Sequence, residues 1–267
     1  FAKDTFSNDQ HPLLKADFIM ANPPFNFKDW RAEDELIDDQ RWAGYDVPPV
    51  SNANYGWILH MISKLSENGI AAFILANGAL SGKGEEYKIR KKMIENDLIE
   101  AIITLPRDMF YSTDISVTLW IINKNKKQHN VSLSDEDKKY RNREGEVLFI
   151  DLRRRGSEFE KKYIQLTKDD IEQIADNYHS WQQIGSEDSY RNIPEFSQSV
   201  SLDELKKQDY SLVPSRYIPF IDRDNEIEYE EEIKKIRNEF QVLLKKESDS
   251  QDELMDAFKG LGYEIKK

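Results

Sequence analysis

Cysteine is absent from the 267 residues, which excludes a disulfide framework and any thiolate metal site. Long apolar runs are missing too. Ile70–Ala76 falls far short of the ~20 residues that a membrane-spanning helix needs, and no charged-then-apolar leader opens the chain. A cytoplasmic protein without membrane contact is the resulting expectation. The four histidines, His11, His60, His129 and His179, show no metal-ligand spacing, so no metal is expected. Positive charge is scarce, with 38 Lys and Arg against 50 Asp and Glu and a net charge of -12. Nonspecific grip on a phosphate backbone comes from Lys and Arg, so any work on nucleic acid calls for a basic partner.

What is present suffices for a core of one to two domains, since 39% of residues are hydrophobic and 11% aromatic. Between residues 16 and 150 short apolar runs alternate with helical patterns. Ala16–Ala21, Ile70–Leu75, Leu98–Leu105, Ser116–Ile122 and Val147–Ile150 read as strands, and alternation of this kind means an α/β sheet. Tyr55, Ile58, Leu59, Ile62 and Leu65 form a helical stripe within Asn54–Glu67, and Glu85–Asn96 is a second, more charged helix. The polar stretch Lys124–Glu146 reads as a mobile excursion. Thr167 is an N-cap candidate for a helix carrying Ile171, Ile174, Tyr178 and Trp181. Beyond a turn-rich segment, Tyr229, Ile233, Ile236, Phe240 and Leu243 alternate four and three residues, as in a helix lying along another helix. Leu254, Phe258 and Leu261 mark a last helix ending near Gly260 or Gly262. The chain opens at Phe1 and runs directly into a polar loop, reading as a segment of something longer.

Chemistry concentrates in Asn22-Pro23-Pro24-Phe25, directly after the first strand, where open α/β sheets place their ligands. Two prolines stiffen the backbone and leave their carbonyls free to accept. An exocyclic amine offers two hydrogens, one for the Asn22 side-chain oxygen and one for the Pro23 carbonyl, while Phe25 offers a face for an unstacked base. The alternative is a structural proline turn after a buried strand. The loop from Phe27 to Ala53, with Trp30, Arg31, Arg41, Trp42 and Tyr45, is longer than a compact fold needs and reads as a lid over DNA. Lys83 and Arg153–Arg155 are cations that reach phosphates or simply stay solvated.

The stretch Asp17–Asn26 resembles motif IV of amino-group methyltransferases. Arg41–Tyr45 with Pro48-Pro49, Trp57–His60, Leu75–Leu80, Ile89–Lys91, Leu98–Pro106 with Met109-Phe110, and Ser215–Tyr217 are similar to segments of type I restriction-modification modification subunits. The resemblance implies the C-terminal half of a Rossmann-like methyltransferase sheet followed by a small helical C-terminal region. It implies S-adenosylmethionine as cofactor and N6 of adenine in double-stranded DNA as the methylated position. It further implies that Asp4 binds the cofactor's adenine, that Phe110 packs on the flipped base opposite Phe25, and that the glycine-rich cofactor loop lies upstream. The implied partners are a specificity subunit, a second modification subunit and a restriction subunit. The expected organisation is 1–152 catalytic, 153–220 a connecting segment packed on the core, and 221–267 a helical region for subunit contact. Two other functions stay open: an assembly module for the specificity subunit, and methylation of RNA or of protein glutamine, because the same tetrad serves those acceptors.

Overall fold

Six strands make one mixed sheet whose two faces follow from the period-2 alternation of its apolar residues. In this computed structural model residues 5–111, 114–133, 136–160, 162–184, 190–221 and 229–260 are described. In chain order the elements are β1 (Ala16–Ala21), α1 (Asn54–Lys64), β2 (Leu65–Ala76), α2 (Glu85–Glu95), β3 (Ile99–Thr104), β4 (Val117–Asn123), β5 (His129–Leu133), β6 (Glu136–Tyr140), β7 (Glu146–Asp151), β8 (Ser157–Phe159), β9 (Tyr163–Gln165), α3 (Lys168–Gln182), β10 (Ser197–Ser201), α4 (Leu202–Lys207) and α5 (Tyr229–Gly260). The main sheet runs β1-β2-β4-β3-β7-β10. β1 is parallel to β2, and β3 to β7, whereas β4 is antiparallel to both its neighbours and β10 to β7. The carboxyl ends of β1, β2, β3 and β7 therefore share one edge.

Every residue of β3 is buried, as befits a strand covered on both faces. Ile102 joins Phe149 of β7, Phe73 of β2 and Trp120 of β4 under α1 and α2, while Ala101 and Ile103 join Leu148, Ile150 and Trp181 of α3. α3 begins as expected at Thr167, which forms a full capping box with Asp170. On β1 the alternation leaves one face bare. Ile19 and Ala21 lean on the first cluster, while Phe18 and Met20 are 80% and 90% exposed.

Two expectations need correction. Lys124–Glu146 is not an unstructured excursion: β5 and β6 pair as an antiparallel ribbon, and Lys126 and Arg143 beside it are buried. Backbone bonds between adjacent strands need no apolar period, so the polar sequence concealed them. The last helix is not separate either, because residues 244–253 hold no glycine or proline and α5 runs unbroken to Gly260. Contacts divide the chain into Phe1–Phe220 and Ile221–Lys267. Within the second unit α5 carries Ile233, Ile236, Phe240 and Leu243 exposed along one stripe.

Candidate active site

The ladder between β1 and β2 ends at Ala21 and Phe73, so Asn22 to Phe25 leave the sheet at the shared carboxyl edge. Pro23 is buried, Asn22 and Pro24 are exposed, and Phe25 is half-buried against both clusters. Among the described residues the Asn22 carboxamide makes no hydrogen bond. Its oxygen and the Pro23 carbonyl are the two acceptors that the sequence reading expects for an exocyclic amine. Phe110 sits past β3 at the same edge, and together with Met109 and Phe25 it packs on the second cluster. Both expected stacking aromatics thus rest on one apolar bed. Asp4, the expected cofactor contact, lies outside the described residues.

Just past the tetrad the chain turns sharply, with Asn26 at a φ of +53°, a left-handed conformation that asparagine tolerates better than most residues. Asn26 N–H donates to Asn54 Oδ1 at 3.0 Å, and Asn54 Nδ2 donates back to Asn26 Oδ1 at 3.0 Å. Asn52 Nδ2 reaches the same oxygen at 3.4 Å. One residue on, Ala53 N–H donates to the Phe27 carbonyl at 2.8 Å, closing the long loop at its neck.

That loop folds on itself rather than standing open. Trp30 and Trp42, which the lid reading assigned to DNA, are only 5% and 2% exposed. Their indole N–H groups donate at 2.8 Å to the carbonyls of Pro49 and Leu36, so the aromatics serve as a small core. Arg41 fastens it: paired with Asp39, it also donates to the Thr5 and Phe6 carbonyls and to His60 Nδ1. Burial, and then the Arg41 guanidinium, pushes the His60 imidazole from 6.5 down to about 4. The folded form keeps His60 neutral while the unfolded chain takes up a proton, so stability is lost as pH falls from about 6.5 toward 4. His60→Gln is expected to flatten that limb of a melting-temperature profile and leave the profile above pH 7 in place. An unchanged limb would put the pH sensitivity elsewhere.

Residues 1–226 match the profile described as N-6 DNA Methylase. The chain belongs to this family. It is 38% identical to the type I restriction enzyme HindI methylase subunit of Haemophilus influenzae across 98% of this chain and 55% of that one. To the MjaIX methylase subunit of Methanocaldococcus jannaschii it is 33% identical over 97% of this chain and 45% of the other. Among solved structures, the type I restriction-modification methyltransferase subunit of Streptococcus thermophilus superposes with a TM-score of 0.67 at 27% identity, covering 82% of this chain and 41% of its own. The chain spans about half the length of the curated relatives it matches. Its sheet is accordingly that of an α/β methyltransferase.

In this member of the family, sequence reading passed over Asn52 and Asn54. Asn54 stood only as the first residue of a helical stretch, and nothing local shows that it answers a residue 28 positions earlier. Arg90 appeared merely as part of a similar segment. It is 2% exposed, and by donating to the carbonyls of Tyr210 and Gly82 it ties the loop after β2 to the segment before Pro214.

Proposed function

We propose that this chain carries the target-base half of a methyltransferase that moves a methyl group from S-adenosylmethionine to N6 of adenine in DNA, as the modification subunit of a type I system. The observation that carries the reading is the unladdered Asn22–Phe25 turn at the shared carboxyl edge, with two acceptors presented and a half-buried ring beside them. S-adenosylmethionine supplies an electrophilic methyl group when bound. The chain's residues fit the amine side of that reaction and not a complete donor site, since no glycine precedes Gly44 and residues 1–43 therefore hold no glycine-rich loop.

Asn22 Oδ1 and the Pro23 carbonyl accept the two amine hydrogens, which turns the nitrogen lone pair out of conjugation and away from both acceptors. Phe25 and Phe110 offer the flat contact that replaces stacking lost when a base leaves the duplex. No side chain has to act as a strong base, because the nitrogen becomes acidic once alkylated. The net charge of -12 suits a division of labour in which a specificity subunit brings the phosphate contacts and the sequence readout. The exposed stripe on α5 supports docking on such a partner.

Two measurements test this. The full-length polypeptide, assembled with its specificity subunit and given labelled S-adenosylmethionine and duplex DNA, is expected to place label on N6 of adenine; label on RNA or on protein glutamine alone overturns the substrate. In calorimetry, a polypeptide extended upstream to the length of the curated relatives is expected to bind S-adenosylmethionine where the 267-residue chain does not. Micromolar binding by the shorter chain would mean that the donor site has been assigned to the wrong part of the protein.

A further inference from the structure

We infer that Asn54 is a positioning residue for methyl transfer, holding Asn26 and through it the Asn22–Phe25 turn in reacting geometry. The inference rests on the function proposed above.

Asn54 is fully buried at the first position of α1. A buried carboxamide is costly unless its polar atoms are satisfied, and both ends of this one are spent on a single residue. Its oxygen takes the Asn26 N–H and its nitrogen donates to Asn26 Oδ1, each at 3.0 Å. Capping the helix does not account for this, because Asn52 Oδ1 already accepts the Asn54 N–H at 3.0 Å. The Asn54 side chain is directed backwards, away from its own helix and onto the residue that follows Phe25.

The mechanical consequence is direct. On one side of the tetrad Ala21 is fixed in the β1–β2 ladder; on the other, Asn26 is fixed to a helix whose Tyr55, Ile58 and Leu59 lie in the core. Between these anchors two prolines remove most of the remaining freedom. Releasing one anchor leaves the sequence of the turn intact and lets the Asn22 oxygen and the Pro23 carbonyl drift relative to each other. A misplacement of about 1 Å in a reacting group costs on the order of 10²-fold in rate.

The test uses the full-length polypeptide assembled with its specificity subunit. Asn54→Ala is expected to lower kcat about 10²-fold, with the S-adenosylmethionine dissociation constant and the KM for DNA little changed. Asn54→Asp, equal in size but with an oxygen facing Asn26 Oδ1, is expected to fall with it. Should neither fold, Asn26→Ala at the exposed end of the clamp removes the Asn54 Nδ2–Asn26 Oδ1 bond while the Asn26 N–H still reaches Asn54 Oδ1, and is expected to lower kcat as well, at unchanged KM. A merely structural asparagine would lower the melting temperature and leave kcat of the folded complex intact. That result, or a rise in KM at constant kcat, overturns the inference. The wild-type complex and Asn22→Ala serve as references: absent methyl transfer in the first, or full turnover in the second, removes the underlying function, whereas normal references with an active Asn54→Ala remove only the role of Asn54.

Discussion

In the methyltransferase complex proposed above, Asn22→Ala is expected to lower kcat by about 10²–10³-fold, the usual loss when one preorganised hydrogen-bonding group is removed from a reacting centre. Its affinities for DNA and S-adenosylmethionine should hardly move. The reason lies in what Asn22 does not do. Its side chain is exposed and forms no hydrogen bond among the described residues, so removing it leaves the fold, the prolines and the Asn26–Asn54 clamp as they were. Only the acceptor opposite the Pro23 carbonyl disappears. Pre-steady-state measurement of methyl transfer separates the cases: a fall in the chemical step alone fits an interaction made mainly in the transition state, while a higher KM with kcat intact means that Asn22 merely binds DNA.

A second large effect is expected in stability. Glu100 and Arg143 form an ion pair at 3.0 Å with side chains only 0% and 1% exposed. Asn123 Nδ2 and Gln182 Nε2 also donate to the Glu100 carboxylate, the latter at 2.9 Å. Glu100→Ala strands a guanidinium and two amides in the interior, and breaking such a pair from one side costs about 3–5 kcal/mol. Against the ~5–15 kcal/mol that typically holds a domain together, this is a large share. Replacing both members, Glu100→Leu with Arg143→Met, should cost less than the single change, because well-packed apolar residues often match a buried pair. Urea unfolding at an unchanged m-value measures both. A Glu100→Ala loss below about 1 kcal/mol would show that water or a side-chain rearrangement relieves the stranded groups.

How much of this was legible beforehand depended on distance along the chain. β1, β3 and β4 announced themselves through continuous apolar runs, and Asn22–Phe25 through composition and its place at a strand end. Thr167 and Asp170 lie three apart, so that cap was readable as well. Lys126 and Arg143 read as solvated charge because their partners, Asp97 and Glu100, come from distant segments. Trp30 and Trp42 read as a lid because a loop's own small core leaves no period. The Asn26–Asn54 clamp was hidden for the same reason: each asparagine has an ordinary local explanation, and only the fold joins them.

The strand pairings also set an order of assembly. Ala21 finds Phe73 and Ala101 finds Leu148 in parallel, and Phe149 finds Gln198 antiparallel, so each of these strands waits for chain made much later. During synthesis β1 has no β2 to lie against until α1 and β2 have followed it out of the ribosome. Folding dominated by such remote contacts is slow. The Asn22–Phe25 turn therefore cannot take its shape until the residues through Phe73 have followed it and closed the ladder that anchors it.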